Sequence, residues 1–167
     1  MENDSQIQKR VKELFYYDEN TGIFTRKIAT GRHGRHKKGL VAGAKNNRGY
    51  VILSIDSKRY VAHKIAWLYV YGYIPKQDLD HINRVKNDNR IANLRLATRS
   101  ENMQNVVRNK KNTSTQKGVS WMPQRKKWRA YINKDYKQIY IGLFDSFEEA
   151  VSAYKEAQKK IHSFIPA

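Results

Sequence analysis

Residues 80–102 read DHINRVKNDNRIANLRLATRSEN, and the fold turns on how that stretch is punctuated. Working outward, LDHI (79–82) is a short apolar-flanked run that suits a strand. NRVKNDNRIAN (83–93) is polar and rich in turn-forming Asn and Asp, and LRLAT (94–98) alternates apolar and polar residues as a half-buried strand does. Thr98 and Glu101 then make the T-x-x-E capping box of a helix expected from Arg99 toward Val107. The predicted order is strand, loop, strand, helix.

Four side chains in this stretch carry chemistry. Asp80 and His81 are adjacent, Asn93 lies 12 positions past the histidine, and Asn102 lies 9 beyond that. Hydrolysis of a phosphodiester needs an activated water, neutralisation of charge in the transition state and help for the leaving 3′ oxygen. A neutral imidazole can take the proton of the water at physiological pH, which makes His81 a candidate general base. A hard divalent ion, Mg²⁺ or Mn²⁺, prefers oxygen donors and takes few of them from the protein, and Asp80 and Asn102 supply a carboxylate and an amide. Asn102 falls in the first turns of its helix, where the dipole favours a nearby phosphate. Strict strand alternation sends the side chains of Asp80 and His81 to opposite faces, so both reach one site only if the strand twists or bulges there.

The stretch resembles the HNH (ββα-metal) endonucleases, specifically the phage and intron-encoded members in which Asn replaces the last His. That resemblance implies Asp80 and Asn102 as metal ligands, His81 as the catalytic base, and Asn93 as a second catalytic-site residue that pins the loop and helps hold the histidine. The chain reads His-Asn-Asn, which favours a hard ion over zinc or nickel. FYYDENTGIF (15–24) and AHKIAWLYVYG (62–72) are familiar from the same endonucleases, so the resemblance covers nearly all of residues 13–105.

Composition bounds the partner. The chain has 167 residues, 33 Lys and Arg against 15 Asp and Glu, and a net charge of +18. Residues 1–105 carry +10 and residues 106–167 carry +8, so the charge is not confined to a tail. A polyanionic partner follows. No run of 18 apolar residues exists to span a membrane, which leaves nucleic acid. The absence of cysteine removes disulfides and thiolate zinc sites, and MENDSQIQKR has no apolar signal region and reads as mature cytosolic sequence.

Before the motif, SQIQKRVKEL (5–14) spaces Ile7, Val11 and Leu14 as a helix behind Ser5. FYYDENTGIFTRK (15–27) reads as a small packing hairpin. Residues 29–48 form a basic, glycine-rich loop suited to phosphate contact, and His33 and His36 within it have no carboxylate nearby to complete a ligand set. Residues 49–63 read as a hairpin feeding a helix over 62–72 that ends at Gly72, with His63 as a surface or capping residue.

Residues 106–117, VVRNKKNTSTQK, shift to small polar and basic types and read as a linker along DNA. GVSWM (118–122), KWRAYIN (127–133) and KQIYIGLF (137–144) are then three short strands, followed by a helix over 145–161. Period 2 turns Val119, Trp121, Trp128, Ala130, Ile132, Ile139 and Ile141 toward that helix. The other face offers Ser120, Met122, Arg129, Tyr131, Asn133, Gln138 and Tyr140, with Lys117, Arg125 and Lys127 nearby, and is expected to bind DNA because a sheet of this shape fits the major groove. GVSW, the W-R-A-Y-I strand and IYIGLFDSFEEA resemble the ethylene-response-factor (apetala-type) DNA-binding domain. Ser120, Met122, Asn133 and Gln138 stand where plant members carry Arg or Trp, so the resemblance supports the fold more than a base preference.

The expected chain is therefore α+β, with a ββα-metal nuclease domain and its N-terminal hairpins and helix over 1–105, a basic linker over 106–117, and a three-stranded antiparallel sheet packed on one helix over 118–167. The expected activity is metal-dependent cleavage of duplex DNA, as in a phage homing or mobile-element nuclease acting as a monomer in the bacterial cytoplasm without a protein partner. A non-catalytic, sequence-specific DNA-binding regulator on an inactive nuclease fold shares this composition, but would never cut. A structured-RNA binder or ribonuclease also shares it, although the narrow A-form major groove suits such a sheet poorly.

Overall fold

The computed structural model describes residues 3–31, 36–105 and 116–162. Packing divides the chain into two compact units, Met1–Leu96 and Ala97–Ala167, earlier in the sequence than the expected division after residue 105. His33 and most of the expected linker lie outside the described residues.

The first unit opens with helix α1, Asp4–Leu14. Asn3, not Ser5, caps it: its side chain accepts from the Ser5 N–H, and Gln6 reaches back to the Asn3 N–H as a capping box. Strands β1 (Phe15–Asp18) and β2 (Ile23–Arg26) form an antiparallel hairpin. A second meander joins β3 (Ala44–Lys45), β4 (Val51–Ile55) and β5 (Lys58–Val61) in that order. Asp56 and Ser57 turn β4 into β5 with φ of 44° and 68°, the paired left-handed geometry of a two-residue hairpin loop.

Helix α2, Ala62–Tyr71, follows without a break and stops at Gly72, whose φ of 83° is the left-handed cap expected there. Gln8 of α1 donates from Nε2 to the carbonyls of Leu68 and Tyr69, satisfying part of the frayed end of α2. Val11, Leu14, Phe15, Phe24, Leu53, Ile65, Leu68, Leu79 and Leu94 join one core, which unites α2 with the paired strands β6 (Asp78–His81) and β7 (Leu94–Ala97).

The second unit begins with helix α3, Arg99–Asn105. Its start is the expected box: Glu101 accepts from the Thr98 N–H at 2.7 Å and Thr98 accepts from the Glu101 N–H at 3.2 Å. Strands β8 (Val119–Met122), β9 (Lys127–Lys134) and β10 (Lys137–Phe144) form an antiparallel sheet with β9 in the centre. Helix α4, Phe147–Ile161, is capped by Ser146 with Glu149 and buries Ala150 and Tyr154 against Val119, Ala130 and Ile132. Gly118 enters this sheet at φ 73°, where a Cβ would lie 2.2 Å from the Tyr154 ring and 2.4 Å from the Tyr131 carbonyl oxygen. No larger residue fits there.

Two expectations for the inner face need correction. Trp121 and Ile139 pair across the sheet with Trp128 and Ile132, on the expected side, yet remain 43% and 39% exposed. Helix α4 packs chiefly on central β9 and less on the two outer strands that carry these side chains. A bulge between Tyr140 and Gly142 also shifts the register of β10, so Gly142 and Phe144 oppose Ala130 and Trp128. Simple alternation after Ile141 would have turned Leu143 inward instead.

Candidate active site

The site is built on β6 and the loop that follows it. Leu79, Asp80 and His81 are all buried, and Asp80 and His81 retain only 8% and 4% exposure. Their side chains take separate partners. Asp80 Oδ2 accepts from Arg95 Nε at 3.1 Å and from a second Arg95 nitrogen at 2.9 Å, across the β6–β7 pair. The His81 ring points among Asn89, His63 and Tyr50.

Residues 83–93 form a loop tied to itself. Asn93 Oδ1 accepts from the Asn83 N–H at 3.0 Å, Asn93 Nδ2 donates to the Asp88 carbonyl at 2.8 Å, and the Asn93 carbonyl accepts from the Ile82 N–H at 2.9 Å. One buried amide therefore closes both ends of the loop. Asp88 accepts from Asn83 Nδ2 at 2.7 Å and from Arg90, whose guanidinium holds the Asp88 carboxyl down at about 2. Lys86 clasps the other side, donating to the Arg48 carbonyl at 3.1 Å and lying over the Tyr50 ring.

The amide beside the histidine is that of Asn89, with Oδ1 3.4 Å from His81 Nε2. Burial lowers the His81 pKa, opposed by the Asn89 hydrogen bond and by the charges of Asp80 and Asp88. The ring is thus a neutral imidazole at physiological pH, the form a general base requires.

His63 corrects an expectation: it is not a surface residue but 7% exposed, on the first turn of α2. Its ring stands 5.0 Å from that of His81 and 5.5 Å from that of Tyr50. Burial, then the neighbouring His81 and Lys64, push its pKa down to about 3. The signal was present, because His63 shares a helical stripe with the buried Ala66 and Trp67. Asn89 gave no such signal among the Asn residues of its loop.

Asp80, His81 and Asn93 fall in the first unit, and Asn102 lies on α3, in the second. The Asn102 N–H donates to the Thr98 carbonyl at 2.9 Å, as the first helical turns require.

In the second unit, register gathers the expected DNA-facing residues on one side of the sheet. Ser120 opposes Arg129, Met122 opposes Lys127, Tyr131 opposes Tyr140 and Asn133 opposes Gln138. Tyr140 is 60% exposed, and the Arg129 guanidinium lies over the Tyr131 ring. Ser120 Oγ and Arg129 Nε are buried without a hydrogen-bond partner among the described residues. Lys127 pairs with Asp145 at 2.9 Å, Arg125 is exposed in the turn after β8, and Lys117 is half-buried.

Residues 60–104 match the HNH endonuclease family, so this part of the chain is an HNH endonuclease domain. The chain belongs to one family with Protein 3.8 of Escherichia phage T7, to which it is 34% identical over 101 residues, 60% of this chain and 83% of that protein. No solved structure matches it. Among the described residues, no helix is long and apolar enough to cross a membrane.

Proposed function

We propose that the chain is a metal-dependent DNA endonuclease in which His81 takes the proton of the water that attacks the scissile phosphate. The carrying observation is a buried histidine, kept neutral by its surroundings, next to a buried carboxylate within the HNH region. Asn93 closes the loop that presents the ring, and the Arg95 contact fixes the Asp80 carboxylate.

Asp80 and Asn102 each offer an oxygen of the kind a hard ion takes. One Asp80 oxygen is oriented by Arg95, and carboxylate and amide oxygens in a chain without cysteine suit Mg²⁺ or Mn²⁺. Such an ion supplies neutralisation of charge at the phosphate and at the leaving 3′ oxygen. The products of this chemistry are 5′-phosphate and 3′-hydroxyl ends.

The C-terminal sheet is the docking module for duplex DNA, similar in plan to an ethylene-response-factor domain. In support, Ser120, Arg129, Tyr131, Asn133, Gln138 and Tyr140 share one face, on which two buried polar atoms have no described protein partner. Similarity to a phage protein supports a phage-encoded or mobile-element enzyme that works in the cytoplasm of its host.

The test is plasmid nicking in Mg²⁺ with full-length protein. The wild type should convert supercoiled to nicked or linear DNA, and His81→Ala should lose that activity while still binding DNA. Equal cutting by His81→Ala refutes the assignment.

A further inference from the structure

We propose that Asn89 is the residue that positions the His81 ring: its Oδ1 accepts a hydrogen bond from Nε2–H and so fixes the tautomer and the plane of the imidazole. The proposal rests on the nuclease reading for its consequence, but on geometry for its substance. Asn89 is 2% exposed, and its Oδ1 faces His81 Nε2 at 3.4 Å. Its Nδ2 donates to the Asn87 carbonyl at 3.5 Å, which orients the amide with its oxygen toward the ring. A neutral imidazole carries one N–H and one lone pair, so a fixed acceptor at one nitrogen decides the role of the other.

Asn89 is itself held from outside its loop. The Tyr17 hydroxyl of β1 donates to the Asn89 carbonyl at 2.6 Å in a buried contact. Gly22, at φ 72° in the turn between β1 and β2, packs so closely that a Cβ would stand 2.5 Å from the Asn89 carbonyl carbon and 2.4 Å from the Arg90 nitrogen. The Ile91 N–H reaches the Glu19 carbonyl at 3.4 Å. The N-terminal hairpin is therefore a clamp on the residue that orients the base, not only a packing element. Asn93, whose side-chain amide bonds the backbone of Asn83 and Asp88, sets the loop, while Asn89 sets the ring.

The experiment uses full-length protein labelled with ¹⁵N-histidine and compares wild type with Asn89→Ala and Tyr17→Phe. Long-range ¹H–¹⁵N correlation spectra at neutral pH report which His81 nitrogen is protonated. Single-turnover cleavage at saturating duplex separates rate from binding. The wild type should show the Nε2–H tautomer. Asn89→Ala should mix the tautomers and slow cleavage by about tenfold or more, the usual effect of losing a partner that orients a histidine, with half-saturation by DNA unchanged. Tyr17→Phe keeps the amide but loosens its backbone, and should give a smaller change of the same kind.

An Nδ1–H tautomer in the wild type, or an unchanged tautomer and rate in Asn89→Ala, overturns the proposal. The tautomer needs no turnover to be read. Wild-type protein that shows Nε2–H and never cuts therefore sinks the nuclease reading and leaves the Asn89 contact standing.

Discussion

The rings of His63 and His81 stand edge to face, with centroids 5.0 Å apart and planes at 84°. Two buried imidazoles cannot both charge at that distance, and burial has already driven His63 to about 3.

The stability of the fold should therefore depend on His63 through pH. Its folded pKa lies below the ordinary value of 6.5, so between those limits the unfolded chain binds more protons than the folded one. The contribution is complete above pH 6.5 and falls away as pH drops toward 3, by up to about 1.4 kcal/mol per pH unit. Urea denaturation at pH 7 and pH 5 should show this loss in the wild type and a shallower one in His63→Phe, which keeps an aromatic ring but cannot take a proton. Equal slopes for the two proteins would exclude a buried neutral His63.

Arg95 should matter more to stability than a surface cation does. Its pair with Asp80 is mostly buried, the two side chains being 19% and 9% exposed. Arg95→Met removes one partner of a buried carboxylate, a change that costs roughly 3–5 kcal/mol when a buried pair is broken. Asp80→Asn with Arg95→Met should be markedly less harmful than the sum of the two changes. Chemical denaturation of all four members of that cycle measures the coupling, and additive losses would mean the two groups do not interact.

Much of this architecture was legible because it depends on local signals. The Thr98–Glu101 box and the Gly72 stop are each written within a few residues, and each stands where the sequence puts it. What was not legible depends on distant packing. His63 and His81 lie 18 positions apart in sequence, and only the tertiary packing of the first unit makes them neighbours. Likewise the clamp from Tyr17 and Gly22 onto Asn89 joins segments about 70 residues apart. The β10 bulge escaped because alternation reads a strand by itself, whereas a bulge is set by its partner.

Gly22→Ala should damage both stability and cleavage. A left-handed backbone costs a non-glycine residue about 1–2 kcal/mol by itself, and here the added methyl also meets backbone atoms of Asn89 and Arg90 that cannot swing aside. Thermal unfolding should show a lowered midpoint. At a temperature where the variant is still folded, its single-turnover rate should drop while duplex binding holds. A variant as stable and as fast as the wild type would mean that the hairpin does not press on the loop.

Arg129 offers the sharpest test of the C-terminal face. It is central on β9, opposite Ser120 and Leu143, with its guanidinium over Tyr131 and its Nε without a described protein acceptor. The planar fork of a guanidinium suits a base edge, to which it can donate twice, better than a point charge does. Arg129→Ala should weaken binding to the preferred duplex by about 1–3 kcal/mol and leave non-specific binding nearly intact. Arg129→Lys should not restore it, because an ammonium supplies charge without the fork. Exposed Arg125, on the turn, should behave in the opposite way, its loss lowering affinity for all duplexes alike and flattening the dependence on salt. Fluorescence anisotropy on selected and scrambled duplexes at two salt concentrations separates the two patterns, and the same uniform loss for both arginines would reduce this sheet to a general electrostatic anchor.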